Sequence, residues 1–153
     1  MVPRNSIQPI LRSDVTLRAV LARQIQQGLK QLGADTYDLR LPETHTLPYI
    51  IQKNEWIEGI VYGRYLQQSG NQVGRGALVA TNNRVFLVDK KLWFVKFDEL
   101  PYRAVSGVTY NRVGLIGMVT LHSKLGDIRI RTLNQTCATS FVRAVEIKML
   151  GLE

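Results

Sequence analysis

Between residues 56 and 132 the chain is divided into short segments in which apolar and polar side chains tend to alternate. A period of two places every second side chain on the same face of an extended strand. Turn-forming residues separate the segments, as at Ser69-Gly70-Asn71 and Asn82-Asn83, so that most connections have hairpin length. The pattern therefore predicts seven short strands in an antiparallel sheet.

A different period, of three to four residues, precedes this region. It predicts an amphipathic helix over about 14–32, with Ser13 or Asp14 as its cap and Gly33 as its end. The apolar stripe of this helix consists of Leu17, Leu21, Ile25, Leu29 and Leu32. Five such side chains need an apolar surface to cover them: the barrel of the same chain, the same helix of another copy, or a different protein. The near-heptad spacing suits contact between helices. We therefore expect the stripe to form an interface in a homo-oligomer.

The segments on either side of this first helix contain prolines. Pro3 and Pro9 predict that residues 1–10 form an extended arm, because proline disfavours regular helix at and before its own position. Residues 34–48 carry two further prolines and scattered acidic side chains, which predicts a connector.

A second amphipathic helix is predicted over 134–150, after the last strand. Its apolar stripe consists of Ala138, Phe141, Val142, Val145 and Met149. Strands followed by one such helix indicate a mainly β, α+β fold: a seven-stranded antiparallel barrel or bent sandwich that the helix caps. We expect Phe141 to be buried in this cap. The expected division is an arm, helix and connector over 1–48 and a β domain over 49–153.

Several segments carry a resemblance to a known family. They are Asn54-Glu55-Trp56, the stretch 76–87 with its Thr-Asn-Asn-Arg hairpin, the stretch 97–102, the stretch 105–108 and the terminal helix. On these segments, residues from about 53 to 150 resemble a bacterial pleckstrin-homology-like (PH-like) domain of the YokE-like type. The resemblance implies a PH-like fold and a non-enzymatic interaction function, and it does not cover the helix at 14–32. A fold alone specifies no partner.

The charge of the chain favours anionic partners. There are 20 Lys and Arg against 12 Asp and Glu, a formal net charge of +8. Such a surplus suits nucleic acid, lipid headgroups and acidic proteins alike. The candidate anion-contacting residues are Arg64, Arg75, Arg129 and Arg131.

Each of these arginines also has an ordinary interpretation. Arg129 and Arg131 alternate on one strand, as the solvent face of a half-buried strand does. Arg64 and Arg75 flank the predicted loop 67–74, near the position where related eukaryotic domains hold phosphoinositides. Because the second basic residue of such a clamp is absent, we expect no specific phosphoinositide site.

Aromatic side chains near Lys96 allow two interpretations. Trp93, Phe94 and Phe97 could stack on the bases of single-stranded nucleic acid. A strand over 92–97 that buries Trp93, Val95 and Phe97 inside the barrel explains the same residues, and we favour it. The preceding Lys90 and Lys91 are expected in a surface turn.

No arrangement of residues indicates catalysis. His45 and His122 are the only histidines, and Cys137 is the only cysteine. Cys137 is expected to be a buried packing residue, although a reactive pair with His122 is the alternative. The spacing of the candidate ligands supports no metal site and no cofactor. We therefore expect a chain that is not an enzyme.

Two classes of function follow. The first is an interaction or assembly module that binds a protein partner or itself; the alternative is a peripheral binder of anionic surfaces through its basic faces. One cysteine and an N-terminus without an apolar signal region favour the cytoplasm. The apolar runs are too short to predict a transmembrane segment.

Overall fold

The computed structural model describes the backbone of residues 8–151 and the side chains of residues 15–151. The strands are β1 (Ile57–Gln67), β2 (Gln72–Thr81), β3 (Arg84–Lys90), β4 (Val95–Pro101), β5 (Val105–Val113), β6 (Ile116–Ser123) and β7 (Ile128–Thr132). They form one antiparallel sheet in the order β4-β3-β2-β1-β7-β6-β5. Because β4 and β5 lie at the two edges and do not pair, the sheet is a bent sandwich and not a closed barrel. The predicted fold class is confirmed.

Four α-helices accompany the sheet in the described part of the chain. They are α1 (Gln8–Gln31), α2 (Thr36–Arg40), α3 (Pro42–Ile50) and α4 (Gln135–Leu150). The helices α2 and α3 lie where a connector was predicted over 34–48, so that prediction is wrong. The side chain of Asp35 caps α2, and Pro42 begins α3 at a position where its missing N–H costs nothing.

The first helix begins earlier than predicted. Its first residue is Gln8, so a start at Ser13 or Asp14 is wrong, as is the extended arm for residues 8–10. Pro9 is compatible with this start because amide groups of the first turn need no intrahelical acceptor. The remainder of the predicted arm, residues 1–7, lies outside the described residues.

The inner face of the sheet packs on α4. Phe141 is fully buried there, as predicted, in a core to which all seven strands contribute side chains. Asn134 caps the helix by accepting a hydrogen bond from the amide of Cys137, and Gly151 ends it in a left-handed conformation.

The outer face of the sheet is partly covered by the N-terminal helices. Ile25 and Leu29 of α1 and Leu47 of α3 are buried against the sheet, in a second core that includes Phe86. Leu21 and Leu32 pack at the margin of this core. The expectation that the stripe forms an interface in a homo-oligomer is therefore corrected for most of its residues, because they face the sheet of their own chain.

Only the N-terminal part of the stripe is open. Leu17 is 65% exposed, and its neighbours Val15 and Val20 are exposed as well. An interface through Leu17, and with it the oligomeric state, stays a prediction.

The segments that carry the PH-like resemblance form a buried polar cluster. The guanidinium group of Arg84 donates to both carboxylate oxygens of Glu55, at 2.8 and 2.9 Å, and Thr81 Oγ1 donates to the same carboxylate at 2.8 Å. Asn82 accepts a hydrogen bond from the amide of Trp56 at 2.9 Å. This Glu55–Arg84 cluster fastens the β2–β3 hairpin to the segment before β1, so the motif has a structural role.

Candidate anion-binding site

Three of the predicted arginines form a row across the sheet. In the strand register, Arg64 of β1 lies opposite Arg75 of β2 on one side and opposite Arg131 of β7 on the other. All three side chains are exposed on the outer face, beyond the area that the N-terminal helices cover. We call these three residues the arginine row.

The close approach of β7 to β1 depends on a glycine. A Cβ atom at Gly63 would collide with the backbone carbonyl of Arg131. Glycine is therefore required immediately before Arg64, since it lets β7 lie close enough to place Arg131 opposite Arg64.

The positive charges of the arginine row repel one another and so destabilise the fold. Among residues 15–151, no carboxylate forms an ion pair with Arg64, Arg75 or Arg131. Like charges directly opposite one another in a sheet are destabilising. An anion bound between the guanidinium groups would remove this repulsion, and guanidinium groups match phosphate oxygens well.

The fourth predicted arginine extends the charged surface. Arg129 lies two residues before Arg131 on β7 and therefore shares its face, opposite Leu66 of β1. It does not line the cavity next to the arginine row.

A cavity of about 910 Å³ opens beside the arginine row. The row forms one wall, and Tyr37, Asp38 and Glu43 of the N-terminal helices form another. Gln135 and Thr136, at the N-terminus of α4, complete the lining. The positive end of the α4 dipole adds to the potential of the arginines at this place.

The acidic residues of the helical wall are occupied by internal hydrogen bonds. The amide group of Asn134 donates to the Asp38 carboxylate at 3.0 Å, and Glu43 accepts from the backbone amide of Lys90 at 3.1 Å. Burial raises the pKa of Asp38, although hydrogen bonds from the Asp35 amide and Asn134 oppose this. Both of these carboxylates are buried, whereas Asp35, which also lines the cavity, is exposed like the three arginines. A ligand in the cavity therefore meets three guanidinium groups and one exposed carboxylate.

The predicted burial of the aromatic run is wrong. Leu92, Trp93 and Phe94 are 83%, 89% and 62% exposed, and Val95 and Phe97 are also exposed. The strand β4 begins only at Val95, so Leu92, Trp93 and Phe94 belong to the connection between β3 and β4. Lys91 begins this connection and is at the surface as predicted, whereas Lys90 is the half-buried last residue of β3, so its predicted place in a turn is wrong.

The two candidates for catalytic chemistry do not meet. His122 Nδ1 lies 3.1 Å from Asp127 Oδ2, and its Nε2 lies 3.4 Å from Thr109 Oγ1. Cys137 is fully buried in the second core, between the sheet and the N-terminal helices. Burial raises the pKa of its thiol to about 12, with the charges of Asp38 and Asp35 adding to the effect. The interpretation of Cys137 as a packing residue is confirmed.

Native protein is accordingly expected to resist thiol reagents. At pH 8 the thiol of Cys137 remains protonated and buried, so its reaction with an aromatic disulfide reagent requires opening of the fold. We expect the absorbance to rise slowly without denaturant and at least about a hundredfold faster in 6 M guanidinium, where the pKa returns toward its ordinary value. Equally fast reaction of the native protein would contradict the buried position.

Two further properties concern the described residues alone. No group of three or more His, Cys, Asp or Glu side chains within residues 15–151 is placed to hold a metal ion. No helix in that part of the chain combines the length and hydropathy needed to cross a bilayer.

Comparison with known proteins identifies one family. A family model described as a bacterial PH domain matches residues 51–147. A solved structure that is similar to this chain is a DUF1696 family protein with a pleckstrin-homology domain from Shewanella loihica PV-4. The two chains are 19% identical with a TM-score of 0.41, and the alignment covers 70% of this chain and 89% of the other. No curated protein matches the chain.

Proposed function

Since the chain belongs to the bacterial PH domain family, we propose that it is a non-catalytic module that binds a phosphate-bearing ligand on the arginine row. The observation that carries this proposal is the placement of Arg64 directly between Arg75 and Arg131 without a carboxylate partner among residues 15–151. Repulsion between opposed guanidinium groups lowers the stability of the ligand-free fold. A bound anion offsets this repulsion because it attracts each of the guanidinium groups.

The shape of the site favours a small or terminal phosphate. The three arginines come from adjacent strands, which lie about 4.8 Å apart in a sheet, so their side chains are long enough to converge on one anionic group. The cavity beside them offers hydroxyl and amide groups, including those of Tyr37, Gln135 and Thr136, to the rest of a ligand. Such convergence of several donors distinguishes a phosphate site from scattered surface charge.

Pyrophosphate is a suitable probe of this site. We expect calorimetry at low salt to show binding to the wild-type protein, and Arg64→Gln to weaken it at least about tenfold, because charge-assisted hydrogen bonds are lost. The substitution should not lower Tm, since it also relieves the repulsion within the arginine row.

A matched control removes the same charge elsewhere. Arg143 is an exposed arginine on α4 that does not line the cavity, and Arg143→Gln should bind pyrophosphate almost as the wild type does. Equal weakening by the two substitutions would mean that only net charge matters. Unaltered binding by Arg64→Gln would refute the proposed site.

A second candidate function is assembly with a protein partner or a second copy. It is favoured by the exposed apolar side chains of Val15, Leu17 and Val20 on α1. Salt separates the two functions: phosphate binding weakens steeply between low and physiological salt, whereas apolar assembly does not. The single cysteine supports a cytoplasmic location for the protein in either function.

A further inference from the structure

The cavity beside the arginine row contains an exposed negative charge, Asp35. Within residues 15–151, this carboxylate accepts one hydrogen bond, at Oδ1, from the amide of Asp38 at 2.8 Å. It therefore keeps free acceptor positions, because an ionised carboxylate can accept about four hydrogen bonds. Since a carboxylate repels phosphate, Asp35 suits a different part of the ligand, one that presents N–H donors.

Asp35 and the arginine row border the same opening. Asn134, at the start of α4, donates to the carbonyl of Gly33 at 2.9 Å and to the carboxylate of Asp38 at 3.0 Å, which holds the segment around Asp35 in place. Arg131 precedes Asn134 by only three residues. Because Asp35 and Arg131 line one cavity, a single ligand can contact both.

The helical wall of the cavity touches the sheet close to the arginine row. The hydroxyl of Tyr62 lies 2.7 Å from Thr44 Oγ1, and Thr44 donates to the carbonyl of Asp38 at 2.6 Å. Tyr62 is two residues before Arg64 on β1, a distance of about 7 Å along a strand. The body of a ligand whose phosphate lies on the arginine row therefore meets the helical wall.

Apolar side chains in the cavity offer contacts to a planar ring. Tyr37 lines the cavity, is 64% exposed and belongs to neither core. Ile116 and Leu133 also line the cavity and are 46% and 78% exposed. Aromatic rings stack on the faces of bases, and aliphatic side chains can cover the rest of a ring. The cavity thus combines a phosphate site with surfaces for a base.

We infer that the ligand is a nucleoside diphosphate, with its phosphates on the arginine row, its base against Tyr37 and N–H groups of the base donating to Asp35. This inference rests on the proposed function and names the class of ligand. The volume of about 910 Å³ is ample for such a molecule, since pockets of about 300–1,000 Å³ hold whole small ligands.

Guanine suits Asp35 better than adenine does. Its ring N–H and its amino group lie side by side, so both can donate to one carboxylate, as the two parallel N–H groups of an arginine do. Adenine presents only its amino group as a donor on that edge. A small amino-phosphate could also contact Asp35 and the arginine row, but it would leave Tyr37, Ile116 and Leu133 uncovered.

Calorimetry at low salt without divalent metal tests the ligand class. We expect GDP to bind the wild-type protein at least about tenfold more tightly than pyrophosphate and more tightly than ADP, because the base adds contacts that pyrophosphate lacks. Net charge alone predicts the reverse, since pyrophosphate carries at least as much negative charge as GDP. O-phosphoethanolamine should bind more weakly than GDP.

Replacing Asp35 by asparagine should change the two affinities in opposite directions. GDP binding should weaken at least about tenfold, because the amide of asparagine cannot accept two N–H groups as a carboxylate does. Pyrophosphate binding should stay the same or tighten, since a negative charge is removed from the cavity. Asparagine is as good a helix cap as aspartate, so α2 is preserved. Glu146→Gln, at an exposed position outside the cavity, is the control and should leave GDP binding unaltered.

Replacing Tyr37 by alanine tests the contact with the base. We expect GDP binding to weaken at least about fivefold, as on loss of an aromatic ring that stacks on a base, while pyrophosphate binding is retained. The matched control is Tyr49→Ala, because Tyr49 is 69% exposed on α3 and does not line the cavity. Its GDP binding should equal that of the wild type.

The results separate this inference from the proposed function. Pyrophosphate binding that depends on Arg64, together with GDP binding no tighter than pyrophosphate binding, would overturn the inference and leave the proposed function intact. Tighter binding of both ligands by Asp35→Asn, or tighter binding of O-phosphoethanolamine than of GDP by the wild type, would do the same. Failure of every phosphate compound to bind would refute both.

Discussion

Replacing Phe141 by alanine is expected to lower the free energy of unfolding by about 3–5 kcal/mol. The ring of Phe141 is fully buried between α4 and the inner face of the sheet, where it contacts the largest core of the protein. Its removal loses the transfer free energy of the ring and leaves a cavity that the surrounding strands cannot fill without distortion. Urea denaturation followed by circular dichroism measures the change.

The same substitution at an exposed phenylalanine is the control. Phe94 lies in the connection between β3 and β4 and is 62% exposed, so Phe94→Ala should alter the free energy of unfolding by no more than about 0.5 kcal/mol. A loss of less than about 1 kcal/mol in Phe141→Ala would mean that α4 does not cap the sheet through this side chain.

Replacing Glu55 by alanine should have an effect of similar size. The carboxylate has no exposed side-chain surface, and its removal leaves the guanidinium group of Arg84 buried beside an empty position. Breaking one partner of a buried ion pair costs about 3–5 kcal/mol. The hydroxyl of Thr81 also loses the nearer of its two acceptors, the other being the carbonyl of Arg84. Thermal and urea unfolding of Glu55→Ala measure the loss.

A second carboxylate on the same arginine gives the matched comparison. Glu99 lies 3.2 Å from Arg84, but its side chain is 51% exposed, so Glu99→Ala should cost less than about 1 kcal/mol. Equal losses in the two variants would contradict the assignment of Glu55 as the principal partner of Arg84.

The contribution of Glu55 also depends on pH. Burial alone would raise the pKa of this carboxyl, but the hydrogen bonds from Arg84, Gln52 and Thr81 outweigh it and lower the pKa below the model-compound value of 4.5. A group whose pKa is lower in the folded state stabilises the fold above its unfolded pKa and loses that contribution as the pH falls. The stability gap between the wild type and Glu55→Gln should therefore narrow below about pH 4.5.

The sequence predicted the strands and the last helix because their signals are local. The alternation along Ile128–Thr132 and the helical spacing around Phe141 each specify one buried face, and the structure confirms both. The same reasoning misplaced Trp93, because an apolar run next to a strand has the composition of a strand. Burial at that position depends on whether another element covers it, which composition does not encode.

The sequence identified the arginines of the candidate site but not how they are arranged in the sheet. Arg64 and Arg75 flank one hairpin, so their proximity follows from sequence, whereas Arg131 lies opposite Arg64 only because β7 pairs with β1. That pairing joins segments more than sixty residues apart and depends on the close approach at Gly63. A hairpin register is decided by a turn, but a pairing between distant strands is decided by the whole sheet.

The first helix also separates what local sequence determines from what the tertiary structure decides. The spacing of Leu21, Ile25 and Leu29 determined that this segment is an amphipathic helix with a face to bury, because 3.6-residue periodicity is a property of the local chain. Which surface covers that face was decided only by tertiary structure. The outer face of the sheet presents its own apolar side chains, such as Phe86, and it lies within reach of the same chain, so α1 packs there. Contact within one chain avoids the entropy lost when two chains associate, and no periodicity in the sequence records that difference.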